Sequence, residues 1–191
     1  MRELVIASNN QHKIKEITDL ANGTLRLVSL KEIGCNDIIP EDFLTLEENA
    51  QQKARYIFAK YGLDCFSDDT GLEVAALKGA PGVFSARYAG ENATFADNVS
   101  KLLLNMKPFD DRRARFRTVI CLIEGGEERF FEGECKGHIT QSPQGADGFG
   151  YDPIFMPQGY AKTFSQMTLS EKNAISHRFS AVRNLLSYLL Q

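Results

Sequence analysis

Apolar residues first run together at positions 3 to 7, Glu-Leu-Val-Ile-Ala, a short stretch that predicts a buried strand. The period then lengthens: Ile14, Ile17 and Ala21 share one face of a helix that Asn9 or Asn10 can cap and Asn22-Gly23 can stop. Thr45 and Glu48 have capping-box spacing, and Ala50, Ala54, Ile57, Phe58 and Tyr61 form one face up to Gly62. These predict a second long helix beginning just after Glu41. A third helix fits Thr94 to Met106, with Val99, Leu102, Leu103 and Met106 apolar and Pro108 beyond its end. The pattern next shifts to strand. Residues 114 to 123 are rich in β-branched and aromatic side chains, Gly125-Gly126 can turn the chain, and 128 to 139 can return as a hairpin partner. Ser180 to Leu190 closes as a helix with Val182, Leu185, Leu186 and Leu189 inward. Strands and helices alternate early and a long hairpin comes late, so an α/β fold with a mixed sheet is expected.

The chain's 191 residues make one domain spanning 1–191 the starting expectation, with two lobes possible. Apolar content of 43% and charged content of 25% are those of an ordinary globular protein. A net charge of −3 gives no general attraction to nucleic acid or to an anionic membrane, so neither is an expected partner, and a polyanionic ligand would need a local basic site. The first residues lack a secretory apolar region and no run of ~18 apolar residues exists, so a cytoplasmic location is expected. Cys35, Cys65, Cys121 and Cys135 are widely spaced, without a CxxC pair. They are read as reduced, mostly buried thiols and not as a zinc site.

The candidate chemistry lies in four blocks. Asp68 and Asp69, in SDDTGLEV, sit where an apolar segment meets a loop broken by glycine. Paired carboxylates there suit a metal, although Asp, Thr and Gly also make an ordinary solvated turn. Adjacent strand residues point to opposite faces, so both carboxylates could serve one cleft only if the backbone turns, which Thr70-Gly71 would allow. SNNQHK, residues 8 to 13, lies where a strand hands over to a helix, and backbone N–H groups plus Lys13 would attract phosphate. It is neither a P-loop nor a GxGxxG loop, and it also reads as a simple capped helix start. Lys162-Thr163 resembles a P-loop ending without the upstream glycines. GFGYDPIF, residues 148 to 155, flanks Phe149 with glycines, which permits tight turns and either stacking on a base or packing in the core. SEKNAISHR ends the set at Arg178. In GAPGVFSARYAG, Pro81 and the glycines set turns, Phe84 and Tyr88 pack, and Arg87 is a weak ligand candidate. His12 and His138 are taken as exposed spectators, and Glu41, ahead of a helix, suits a solvated acid.

Together these blocks resemble the Ham1-type inosine triphosphate pyrophosphatase family over essentially the whole chain. The resemblance implies an elongated α/β fold with a long central mixed sheet, two lobes, the nucleotide in the cleft between them, and a homodimer. It implies hydrolysis of non-standard purine nucleoside triphosphates (ITP, dITP, XTP) to a monophosphate and pyrophosphate with Mg2+. By position Asp69 matches the family's general base and metal ligand, and Glu41, in PEDFLTLEENA, its metal-binding glutamate; Asp68 is less securely placed. Ser8, Asn9, Asn10 and Lys13 match the nucleotide-binding opening. Thr70 stands where many members carry Ser, keeping a hydroxyl. Phe149, Gly150, Tyr151 and Asp152 match the nucleotide-contacting block, and Lys172, His177 and Arg178 the last substrate contacts. On one unbroken helix at ~100° per residue, Lys172 would lie ~140° from His177 and ~120° from Arg178, facing different ways. Ser176 is a good N-cap, and a break there would let the three converge. Rival readings are a pyrophosphatase for other modified nucleotides and a non-catalytic nucleotide-binding protein.

Overall fold

A computed structural model describes residues 2–21 and 23–191; Asn22, half of the expected stop of the first helix, lies outside them. The elements in chain order are β1 (Arg2–Ile6), α1 (Gln11–Leu20), β2 (Leu25–Ser29), α2 (Leu46–Tyr61), β3 (Cys65–Val74), β4 (Pro81–Gly82), α3 (Phe95–Met106), β5 (Arg113–Glu124), β6 (Glu127–Ile139), β7 (Phe155–Pro157), α4 (Leu169–Ile175) and α5 (His177–Leu189). The sheet is mixed, as the pattern predicts, with order β2-β1-β3-β5-β6-β7 and β4 against β3. β1 pairs parallel with both β2 and β3, while β3–β4 and β6–β7 are antiparallel. β5 and β6 are neighbours joined by the two-residue turn Gly125-Gly126, which only an antiparallel pair allows.

The chain divides into two compact units. One comprises Met1–Asp69, Thr118–Gly133 and Arg178–Gln191, the other Thr70–Arg117 and Glu134–His177. In the first, strand alternation sorts side chains onto two faces. Leu4, Ile6, Phe66, Ile120 and Leu122 meet Ile17 of α1 and Ala181, Val182 and Leu185 of α5. Val5, Cys65, Cys121 and Ile123, one residue out of phase, meet Ala50, Ala54 and Ile57 of α2. Each fully buried aliphatic or phenyl side chain contributes roughly 1.5–3 kcal/mol, so these two clusters set the strand register. The second unit has one core, in which Leu72 and Val74 of β3, Leu102 and Met106 of α3 and Phe116 of β5 pack with Tyr151, Phe155 and Phe164.

Helix ends follow the capping residues. Asn10 caps α1, accepting the N–H groups of His12 (3.1 Å) and Lys13 (3.3 Å). α2 starts at Leu46, four residues later than a start just after Glu41, because Thr45 is its cap and takes the Glu48 N–H at 3.2 Å. It ends at Gly62, whose φ of 65° is the left-handed conformation glycine adopts without strain. Thr94 and Asp97 complete a reciprocal capping box on α3.

Two local expectations fail. β3 runs unbroken through Thr70-Gly71, so the aspartate pair lies inside a strand and not at a turn. Gly71 is there for close approach, since a Cβ would fall 2.6 Å from the Gly82 carbonyl oxygen of β4. Phe84 is 44% exposed, its ring covered by the Arg87 guanidinium at 5.5 Å instead of packed inward. Tyr88 does pack against the second unit's core. All four cysteines are buried free thiols, and burial pushes Cys65 and Cys121 up to about 12 and Cys135 to about 11, which makes them inert.

Candidate active site

Because β3 stays extended, Asp68 and Asp69 face opposite sides of the first unit's sheet and acquire different neighbours. Asp68 shares the face of Phe66, toward α1 and α5. Its Oδ2 lies 3.0 Å from Lys13 Nζ and 3.9 Å from Arg178 Nε, and its side chain has no exposed surface. Burial pushes its carboxyl up, but Lys13, Arg178 and Lys53 together outweigh that and hold it down at about 2. Arg178, 1% exposed, also pairs with Glu16 of α1, itself 4% exposed. Lys13, Glu16, Asp68 and Arg178 thus form one buried chain of alternating charge.

Asp69 shares the face of Cys65 and Ser67, toward α2. Its Oδ1 lies 3.4 Å from Lys53 Nζ, and Lys53 also pairs with Glu41. Oδ2 of Asp69 is buried with no hydrogen-bond partner. Burial, supported by the charges of Glu41 and Asp68, outweighs Lys53 and Lys13 and raises the Asp69 carboxyl above the ordinary aspartate value. Lys53, though burial opposes its charge, is held above its ordinary value by Asp69, Glu41 and Asp68 and is an ammonium. An aspartate with raised basicity and an oxygen without a partner has the properties of a general base. The same orphaned oxygen, with the partly exposed Glu41, fits a hard divalent cation. Among the described residues no cluster of three His, Cys, Asp or Glu exists, and magnesium characteristically takes only one or two carboxylates and completes its shell with water and phosphate.

At the start of α1 the backbone is less available than expected. Ser8 Oγ accepts the Asn10 N–H at 3.2 Å, and the Asn10 side chain takes those of His12 and Lys13. The group in this block that can attract an anion is therefore the Lys13 side chain more than a cradle of open N–H groups. Ser8 is partly exposed and Asn9 exposed beside it.

In the second unit, Gly148 (φ 84°) and Gly150 (φ 62°) hold Phe149 in a tight turn, and a Cβ on Gly148 would strike the Asp152 carboxylate. Asp152 Oδ2 accepts the Phe149 N–H at 2.9 Å and the Lys172 ammonium at 2.7 Å. Lys172 Nζ in turn lies 4.7 Å from the Phe149 ring centroid. Phe149 keeps part of its ring exposed. Tyr151 is buried in the core and donates its hydroxyl to the Ser85 carbonyl at 2.8 Å, so its observed contacts support the turn. Thr70 is partly buried on β3.

The break expected at Ser176 is present: α4 ends at Ile175, Ser176 is extended (φ −71°, ψ 155°) and α5 starts at His177. Lys172 and His177 share Phe164, at 5.6 Å and 6.3 Å from its centroid, and His177 stacks on Phe116 at 4.6 Å. Arg178 belongs to the first unit's charge chain. Arg87 is within 3.8 Å of Glu91, Lys162 within 3.5 Å of Glu171, and Thr163 caps a short turn. His12 and His138 are exposed.

Lys53 and Glu16 were not anticipated. Lys53 carried a signal, since it interrupts the inward stripe of Ala50, Ala54 and Ile57 at helical spacing, where a charge requires a partner. Glu16 carried a weaker one, one turn after Lys13.

The model of the Ham1 family matches residues 4–188. The chain belongs to the Ham1 family. A Flavobacterium psychrophilum relative named dITP/XTP pyrophosphatase is 50% identical over 186 residues, 97% of this chain and 98% of its own length. A Porphyromonas gingivalis protein of the same name is 50% identical over 192 residues, covering 100% of this chain and 98% of its own. Among solved structures, a HAM1 protein from Coxiella burnetii superposes with a TM-score of 0.91 at 40% identity, covering 100% of this chain and 99% of that one. The Ham1 fold is thereby shared along the whole length, including all four blocks.

Proposed function

We propose that this Ham1 protein hydrolyses dITP, XTP and ITP between the α and β phosphates, releasing the nucleoside monophosphate and pyrophosphate with magnesium as cofactor. The observation that carries the reading is the Asp69 carboxylate, buried, raised in basicity and with one oxygen left without a partner. The relatives named dITP/XTP pyrophosphatase supply the substrate class.

Lys13 and Lys53 place two ammonium groups within reach of Asp68 and Asp69, where they neutralise phosphate charge. Glu41 and Asp69 would hold magnesium, which polarises phosphate oxygens when bound. Asp69 accepts the proton of the water that attacks the α-phosphorus, the new bond forming as the bond to the pyrophosphate oxygen breaks. Asp68, ionised at neutral pH, fixes Lys13 and Arg178 and does not compete for that proton. Phe149 stacks on the base, supported by Asp152 and Lys172. Arg178, with five donors in a planar fork, together with Lys172 or His177, reads the 6-oxo group of hypoxanthine or xanthine. Adenine presents an amino group there, and each buried donor left unpaired costs about 1–3 kcal/mol, enough for ~10²-fold discrimination from two mismatches.

A homodimer, supported by the family resemblance, and a cytoplasmic location, consistent with four buried thiols, complete the proposal. Among the described residues no helix is long and apolar enough to cross a membrane. Product analysis over a panel of purine and modified pyrimidine triphosphates, with and without magnesium, tests the reading. Pyrophosphate release from dITP, XTP and ITP, far above ATP and dependent on magnesium, is expected. Preference for a modified pyrimidine, or binding without turnover, would overturn it.

A further inference from the structure

Residues 37–43, which carry Glu41, form neither helix nor strand and bury little of themselves. Ile38 is 94% exposed and Phe43 43% exposed, and Ile39 and Pro40 are only partly buried. Ile39 gives the segment one hydrophobic hold, packing against the core on the α2 side. A polar stripe along α2 supplies further holds on either side of Glu41. Lys60 and the Tyr56 hydroxyl (2.7 Å) hold the Asp37 carboxylate. Lys53 holds Glu41. Gln52 accepts the Asp42 N–H at 3.0 Å and donates to the Asp42 carboxylate at 2.7 Å. Asn49, 1% exposed, accepts the Phe43 N–H at 2.9 Å and donates to the Phe43 carbonyl at 3.1 Å. Positions 49, 52, 53, 56 and 60 lie on one helix face, and reading down them from 60 to 49 reads forward along the segment from 37 to 43.

We infer that this lacing makes Asn49 and Gln52 positioning residues for Glu41, fixing the three peptide units that follow it so that its carboxylate is presented to a divalent cation. The inference rests on the reading of Glu41 as a magnesium ligand. Asn49 is the strongest member, because it satisfies both backbone groups of Phe43 from a fully buried site, and a buried amide with two good bonds is rigid. Groups that orient a metal ligand typically change metal affinity 10–100-fold when removed.

The test is Mn2+ binding to the protein, read by loss of the free-ion electron paramagnetic resonance signal beyond the loss caused by the same concentration of α,β-methylene ITP alone. Variants are Asn49→Ala, Gln52→Ala, Lys60→Ala and Glu41→Gln, each checked for fold by circular dichroism and melting. Asn49→Ala is expected to weaken Mn2+ about 10-fold and Gln52→Ala several-fold, with activity recovering as magnesium is raised. Lys60→Ala, at the far end of the lacing, is expected to change affinity less than about 2-fold. If Asn49→Ala does not fold, Gln52→Ala decides by the same criterion. Weakening by Glu41→Gln with wild-type affinity in a folded Asn49→Ala and in Gln52→Ala overturns the positioning role alone. Wild-type affinity in Glu41→Gln, or no Mn2+ uptake by the wild type, removes the metal reading and the inference with it.

Discussion

The two units solve different problems with different chemistry. In the first, Lys13, Glu16, Asp68 and Arg178 on one face of the sheet and Lys53, Asp69 and Glu41 on the other bring seven ionisable groups together, all but Glu41 largely buried. In the second, the candidate groups are mostly aromatic: Phe116, Phe149 and Phe164 surround Lys172 and His177, with Asp152 as the carboxylate on Lys172. The charged assembly is suited to stabilising and moving charge, and the aromatic one to holding a flat ring. The contrast between neighbours Asp68 and Asp69 sharpens this. One residue of phase in a strand gives Asp68 two cations and a carboxyl near 2, while Asp69 is left under-compensated and more basic than usual. Inside a strand, side-chain alternation alone can turn a doublet into a fixed charge and a base.

If that division holds, substitutions in the first unit act on turnover or stability, with Arg178 set apart by its proposed reading of the base, and those in the second act on affinity. The largest effect is expected for Asp69→Asn, which removes the proton acceptor and a metal ligand while keeping shape. Steady-state pyrophosphate release should show kcat lowered by at least ~10²-fold in a folded protein. In the wild type, the acid limb of kcat/KM should fall above the ordinary aspartate range, because the raised Asp69 carboxyl must lose its proton to act. Near-normal turnover in Asp69→Asn would move the base elsewhere.

Asp68→Asn should instead show its effect in stability. The Asp68 carboxyl falls from 3.8 to about 2 on folding, which corresponds to about 2 kcal/mol. Its folded value is the lower one, so this stabilisation is complete above the unfolded value and is lost as pH falls from about 4 through about 2. Urea melts of wild type and Asp68→Asn between pH 7 and pH 3 should differ most at neutral pH and converge in acid. A constant gap would show that Asp68 acts through packing and not through its charge.

Phe149→Ala should raise KM about 10-fold with kcat nearly kept, as expected for a lost stacking platform. A loss confined to kcat would give Phe149 a role in the chemistry and break the division. The smallest effect is expected for Arg178→Lys, which keeps a cation for Glu16 and Asp68 but loses the planar fork. It should narrow the ITP to ATP ratio of kcat/KM several-fold, chiefly by weakening ITP, and an unchanged ratio would remove Arg178 from base reading.

Much of the fold was legible because its signals are local. Asn10, Thr45, Gly62, Thr94 and the Gly125-Gly126 turn each act within a few residues, and the structure uses each as its chemistry demands. α1 ends at Leu20 with Ala21 as its cap, while Asn22, half of the stop expected there, lies outside the described residues. Thr70-Gly71 misled because glycine serves a turn and a close backbone approach equally well, and only the position of β4 separates the two. The pattern places the start of α2 early because it sets Glu41 immediately ahead of the helix, whereas four residues separate the two and the Glu41 segment lies along α2, tied to it by side chains. Of the site, the four blocks could be read from residue type, but the pairings could not. Nothing in sequence spacing says that Arg178 meets Glu16, 162 positions away, or that Lys53 stands between Glu41 and Asp69. Those contacts depend on which helices pack on each face of the sheet.

The central claim is that water attacks the α-phosphorus under the control of Asp69, and hydrolysis of ITP in 18O-labelled water tests it most directly. Mass spectrometry of the products should find one labelled oxygen in IMP and none in pyrophosphate. Label in pyrophosphate, or IDP and orthophosphate as the products, would contradict the account.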